Sequence, residues 1–252
     1  MGHRNLVATV CALALLGPAA CGTPGGSGRW VAGTAPTASA GSAPAATPSP
    51  TERAPAGSAR PSTTPTPAPT RSTRRETGWT ATVYYTAVQR FHTGAATRVT
   101  GCPVLECAHG SSDLGSYPDD FVRAVKNEGT GQTNAGRYLN WSSDVGYWLD
   151  SAPRNGHGGA LVPFVSSAAD ANVLRVGTRL WVRDCGRDDD GGAIDPTVCS
   201  RLRTAAFRID DEFTPGLGGD RHVDLYIGEE TGPNFTKGPW YATLHNATLD
   251  LA

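Results

Sequence analysis

The chain has 252 residues, with 22 Lys and Arg against 23 Asp and Glu, for a formal net charge of −1. That charge is unevenly spread: residues 1–76 carry +5 and the remainder −6, which argues against nucleic acid as a partner of the C-terminal part. The N-terminal apolar run is too short to cross a bilayer as a helix, so the chain reads as exported rather than membrane-spanning.

Residues 1–21 have the form of an export signal. Arg4 supplies a positive start, Leu6 to Leu16 is almost entirely apolar, and Pro18-Ala19-Ala20 offers small residues for cleavage. Cys21 follows two alanines, as does the lipidated cysteine of bacterial lipoprotein signals, but Pro18 stands where that pattern usually has Leu. Two outcomes stay open: an acylated Cys21 anchoring the chain to the outer face of a membrane, or plain secretion. Residues 22–76 are rich in Ala, Pro, Ser, Thr and Gly, with no aromatic after Trp30. Such a stretch buries too little surface to offset its ordering entropy, and its prolines favour an extended, semi-stiff tether.

From Thr77 to Ala252 the sequence reads as one domain. Trp79 to Tyr85, rich in Thr, Val and Tyr, is a strand. A loop-rich stretch follows, and then a helix over Asp119–Asn127. It has Pro118 at its start, acids in its first turn, Lys126 in its last and Gly129 just beyond; no other helix is expected. Tyr138, Trp141, Tyr147 and Trp148 fall within 11 residues. They form either a sugar-stacking groove or a packed lid over one barrel end. Later strands are expected at Leu161–Val165, Arg179–Arg183, Ala205–Asp210, His222–Ile227 and Trp240–Leu244, separated by glycine-rich turns. That pattern points to an all-β barrel or sandwich rather than βαβ units.

Cys102, Cys107, Cys185 and Cys199 are an even number in an exported domain and read as two disulfides. Local pairing, 102 with 107 and 185 with 199, is expected because each pair brackets a turn-rich stretch, although spacing alone permits three connectivities. A zinc site is the alternative, but the spacings lack paired CxxC units. The acidic run Asp188-Asp189-Asp190 resembles a calcium loop only weakly and reads as a solvated surface loop. No phosphate-binding glycine loop, zinc-protease HExxH or serine-hydrolase GxSxG occurs, and no cofactor is expected.

Three carboxylates lie beside strands. In His222-Val223-Asp224-Leu225-Tyr226-Ile227, alternation puts His222, Asp224 and Tyr226 on one face and the apolar residues on the other. Asp210 and Asp211 end a second strand, and Asp170 sits in a turn before a third. If they converge, like charges raise the pKa of one member and give a neutral acid beside an ionised base, as glycosidic chemistry requires.

Three stretches bear a resemblance to a known family. Thr80 to Ala87 (TATVYYTA) is similar to an opening strand of the form TATAYTA, and Asp170 to Val182 matches DPxVIPLGTRLYI in spacing. Gly219 to Gly228 (GDRHVDLYIG) is similar to GNRIDLY or HFDIYQG. Together they resemble the three-aspartate double-psi β-barrel domain of membrane-bound lytic transglycosylase A and of exported cell-wall proteins of Gram-positive bacteria. The resemblance implies a six-stranded double-psi barrel with one short helix and disulfide-tied loops, and peptidoglycan glycan as the partner of a monomer outside the cytoplasm. It implies Asp224 as the catalytic acid, with Asp170 at the first aspartate position. The second position belongs to a DxGGxI element, from which DDEFTPGLGG departs. Strand phase favours Asp210 over Asp211, and Asp190-Gly191-Gly192-Ala193-Ile194 copies the letters from within a loop. Tyr84, Tyr226 and His222 join Trp141, Tyr147 and Trp148 as candidates for contact with glycan. A non-catalytic polysaccharide-binding barrel is the other reading, followed by an endoglucanase- or expansin-like one.

Overall fold

The computed structural model describes residues 73–213 and 218–252. The expected signal, Cys21 and the tether up to residue 72 lie outside the described residues.

The described part begins with a long strand, β1 (Arg74–Val88), and continues through β2 (Ala96–Gly101), β3 (Ser112–Pro118), α1 (Asp119–Glu128) and β4 (Thr130–Gln132). After these come β5 (Tyr138–Ser142), β6 (Gly146–Asp150), β7 (Ser166–Ala169), β8 (Arg179–Asp184), α2 (Pro196–Thr204), β9 (Phe207–Glu212), β10 (His222–Glu229) and β11 (Leu244–Leu251). Six of the strands close a ring in the order β1-β10-β7-β9-β8-β11 and back to β1. Within that ring β1–β10 and β7–β9 are parallel and the other four pairings antiparallel. This is a closed six-stranded barrel of the double-psi type, and closure leaves it no free edge.

Period-two alternation fills the barrel. Trp79, Ala81, Val83, Tyr85 and Ala87 of β1 point inward, meeting Val223 and Leu225 of β10, Phe207 and Ile209 of β9, Leu180 and Val182 of β8 and Leu249 of β11. The opposite face of β1, with Thr82, Tyr84 and Thr86, lies on the outside of the barrel. Beyond the ring, the end of β1 pairs with β4, which leads into the β5–β6 hairpin. Helix α1 packs on this extension so closely that a β-carbon at Gly131 would fall 2.4 Å from Val125 Cγ2 and 2.7 Å from Phe121 Cζ.

Several boundaries differ from the sequence reading. The first strand begins at Arg74, so the last residues assigned to the tether pair with Leu251, Asp250 and Leu249 of β11. Leu161–Val165 is a loop, and the strand there is Ser-Ser-Ala-Ala at 166–169. The last strand starts at Leu244 rather than ending there. A second helix, α2, is present: Asp195 Oδ1 accepts from the Thr197 and Val198 amides, and Pro196 opens the first turn. Helix α1 ends as expected at Gly129, whose φ of 84° suits glycine.

Both disulfides pair locally, Cys102 with Cys107 and Cys185 with Cys199, which removes the zinc alternative. The second ties the end of β8 to α2. No helix among the described residues is long and apolar enough to cross a membrane.

Candidate functional site

The outer surface of four adjacent ring strands, β1, β10, β7 and β9, gathers the candidate carboxylates. Thr82 and Tyr84 of β1 stand directly opposite Asp224 and Tyr226 of β10. Asp224 in turn faces Ala168 of β7. Ser167 pairs with Ile209 but Ala168 with Asp211, so β9 carries one extra residue, Asp210, as a bulge. The bulge resets the phase beyond it. Asp210 reaches Ser166 Oγ and Arg208 Nη2, both at 3.1 Å, and Asp211 Oδ2 accepts from Tyr84 Oη at 3.2 Å. Both carboxylates therefore lie on the outer face. Strand phase alone had favoured Asp210; the bulge makes Asp211 the one coupled to Asp224.

Asp224 is half-buried, and its Oδ1 is enclosed with no hydrogen-bond partner among the described residues. Loss of hydration raises its pKa to about 7, against a hydrogen bond from Thr82, and the charge of Asp211 adds to the rise. Asp211 is itself raised to about 6, chiefly by burial, with the Glu212 amide and Tyr84 opposing and Asp210 adding. Burial and then the charges of Asp211, Asp224 and Asp210 push the Tyr84 phenol well up. Of the two, Asp224 holds its proton to the higher pH.

Asp170 sits apart from this pair. Its Oδ1 accepts from the Asn172 amide at 3.1 Å and its carbonyl from Val173 and Leu174, which makes it the cap of the turn after β7. It lies beside Gly218 at the rim and shares no hydrogen bond with Asp210, Asp211 or Asp224 among the described residues. Asp190 is exposed in the 187–193 loop, where its neighbour Asp189 contacts His245 at 2.8 Å, and is no part of the site. No group of three or more His, Cys, Asp or Glu side chains among the described residues is placed to hold a metal ion.

The aromatic candidates serve packing. Trp148 is 0% exposed and cannot meet a glycan. Tyr147 Oη donates to the Val122 carbonyl of α1 at 3.2 Å, and Lys126 Nζ lies 5.7 Å from the centre of the Trp141 ring. The β5–β6 hairpin thus packs on α1. Tyr226 is 1% exposed and Tyr84 6%; their rings meet at 5.2 Å and form, with Leu161, a small cluster of their own under the site. The Tyr226 hydroxyl shares a 2.5 Å hydrogen bond with Thr86. These tyrosines shape the floor rather than offering free faces to a sugar.

Asn155 and Thr82 belong to the site, though neither stood out in the sequence. Asn155, 6% exposed, donates from Nδ2 to the Asp210 carbonyl and accepts from the His157 and Gly159 amides at 3.1 and 2.7 Å, pinning the bulge. His157 approaches Glu212 at 3.5 Å. The fixed partners of the bulge and the enclosed acid make the face suited to proton transfer at a bound oxygen.

No protein-family model and no curated protein matches the chain. Among solved structures it is similar to MltA of Escherichia coli with bound chitohexaose, with a TM-score of 0.48 and 14% identity over 71% of each chain. It is also similar to a membrane-bound lytic murein transglycosylase from Agrobacterium tumefaciens, with a TM-score of 0.41 and 9% identity over 69% of this chain and 73% of that one. A third likeness is to the lytic transglycosylase LtgG of Burkholderia pseudomallei, with a TM-score of 0.36 and 12% identity over 68% and 70%.

Proposed function

We propose that this domain acts on the glycan strands of peptidoglycan, cleaving the β-1,4 bond between N-acetylmuramic acid and N-acetylglucosamine, with Asp224 as the acid and then the base. The observation that carries the reading is the enclosed, proton-holding carboxyl of Asp224 beside Asp211 on one outer face. The resemblance of the three sequence stretches supports it, and the two disulfides suit an oxidising compartment outside the cytoplasm.

In the proposed reaction, protonated Asp224 gives its proton to the glycosidic oxygen as the bond from that oxygen to the muramyl C1 breaks. The Asp224 carboxylate then takes the proton of the muramyl 6-hydroxyl, and that oxygen closes on C1. Atoms balance without water, the product is a 1,6-anhydromuramyl end, and Asp224 is again protonated. Asp211 holds the Asp224 pKa up between turnovers, and Asp210, fixed by Ser166 and Arg208, adds negative charge beside the positive centre developing at C1.

The test is incubation of the purified protein and its Asp224→Asn variant with peptidoglycan, with products read by mass. Anhydromuropeptides from the wild type, reduced about 100-fold or more in the variant, are expected for loss of a general acid. Sedimentation with the wall and no product from either protein would instead identify a glycan-binding module. Action on cellulose alone would point to the endoglucanase- or expansin-like reading.

A further inference from the structure

The twin aspartates of β9 have two ways to meet β7, and only one of them puts Asp211 on the outer face. Ser167 pairs with Ile209 and Ala168 with Asp211. Ala168 also pairs with Asp224, and Asp224 with Thr82. The outer row therefore runs Asp211, Ala168, Asp224, Thr82 across four strands, with only a methyl group between the two acids. Without the bulge, Asp210 would pair with Ala168 and Asp211 with Ala169, which is fully buried in the barrel core. A slip of one residue turns a side chain to the other face of the sheet, so Asp211 would leave the row for the interior.

Asp210 stands outside the strand register on both sides: it has no partner residue in β7, and the pairing of β9 with β8 ends at Arg208. Its carbonyl is met by Asn155 Nδ2 instead. That side chain comes from a closed turn in which Arg154 bridges to Ala160. Within it the Asn155 amide donates to the Gly159 carbonyl at 2.9 Å, and the Gly158 amide to the Asn155 carbonyl at 3.0 Å. Asn155 Oδ1 accepts from the His157 and Gly159 amides, so one orientation of the side-chain amide remains, with its nitrogen toward β9. Asn140 of β5, itself 0% exposed, accepts from the Arg154 amide at 3.2 Å and ties the turn to the sheet. The donor that reaches the bulge is thus fixed before the bulge forms around it.

We infer that Asn155 is a positioning residue that, by taking the Asp210 carbonyl, holds the β9 bulge and so sets Asp211 in the row with Asp224. Without its N–H the Asp210 carbonyl loses its donor, the extra residue is no longer held out of register, and Asp211 leaves both Tyr84 Oη and the neighbourhood of Asp224. The other titratable and charged groups around the pair are Tyr84 of β1, Arg208 and Glu212 of β9, His157 of the turn and Glu128 of α1. To these β10 adds His222, whose Nε2 lies 2.8 Å from Thr82 Oγ1. The catalytic meaning of the inference rests on the reading of Asp224 as the acid, but the control of register does not.

The experiment is a carboxyl-carbon NMR titration of Asp224 in the full chain, with and without Asp211→Asn, in four backgrounds: wild type, Asn155→Ala, Asn155→Asp, and Asn155→Ala with Asp210 deleted. Asn155→Asp keeps an acceptor for the His157 and Gly159 amides and loses only the donor, so the turn survives. Deleting Asp210 removes the bulge itself and leaves Ala168 paired with Asp211 and Ala169 with Glu212, so Asn155 is no longer needed. In wild type, Asp211→Asn is expected to lower the Asp224 midpoint by about one pH unit, a tenfold easier ionisation. In both Asn155 variants that displacement falls to about a third or less, and deletion of Asp210 restores it in full. A displacement that is absent in wild type, persists unchanged without Asn155, or is not restored by the deletion overturns the inference. Because the readout is independent of turnover, a protein that gives the expected displacements but releases no anhydromuropeptide leaves the register control standing and removes the lytic reading alone.

Discussion

Two carboxyl groups that share an enclosed face cannot both ionise at little cost, and the order in which they lose protons decides which one can act as an acid. Here the more enclosed member is Asp224, at about 7, and Asp211 follows at about 6. The charge on Asp211 is one cause of the high value at Asp224, which gives the first prediction. Asp211→Asn lets Asp224 ionise at lower pH, so the alkaline limb of glycan cleavage moves to lower pH while the protein stays folded; an unmoved limb would mean that the two groups are not coupled. At this scale the sequence told which strands would carry acids and that Asp224 would face away from the core. It did not tell which of Asp210 and Asp211 joins it, because a bulge adds a residue without any letter that marks it. The partner that holds the bulge, Asn155, lies 55 residues earlier.

Elements with a periodic pattern and caps, such as β1, α1, β8 and β10, were legible from local residues alone. Those formed by tertiary demand were not. Strand β7 is Ser-Ser-Ala-Ala, with no strand signal, and exists because small side chains fit between β10 and β9 under the site. Helix α2 did carry a signal, Asp195 followed by Pro196, hidden by the cysteine and arginine that interrupt its apolar face. The meeting of α1 with β4 depends on the missing side chain of Gly131. Gly131→Ala is expected to lower stability by about 1–3 kcal/mol, measured by urea unfolding, since Phe121 and Val125 are fully buried and have little room to withdraw. Removing the α2 cap by Asp195→Ala is expected to cost about 1 kcal/mol, checked in the same assay. A larger loss in that variant would show that α2 supports the barrel beyond its own helix.

For the whole molecule, two sets of shifted carboxyls set the pH range of stability. Asp224, Asp211 and Glu128, the last raised to about 8 by burial and then by Asp224, all have folded-state values above the ordinary carboxylate range. Their contribution is complete below that range and is lost as pH rises through about 6 to 8. Asp250 is opposite in sign: Arg75 and Arg183 hold it at about 2, clamping β1, β8 and β11 together, and its contribution is lost only as pH falls toward that value. Thermal stability is therefore expected to be greatest at about pH 4 and to decline from there until it levels off at about pH 8, with Glu128→Gln removing the part of the decline that extends up to about 8; an identical decline in that variant would contradict the assignment. The disulfides add a constraint of their own, and reduction of Cys185–Cys199, which closes a loop of sequence separation 14, is expected to cost about 3 kcal/mol. The proposed reaction requires Asp224 to move one proton out and one back with no water consumed. Digestion of peptidoglycan in water enriched in oxygen-18, followed by mass analysis of the fragments, tests this most directly. Unlabelled 1,6-anhydro ends from the wild type and none from Asp224→Asn are the predicted result. Labelled reducing ends, or equal release by the variant, would contradict it.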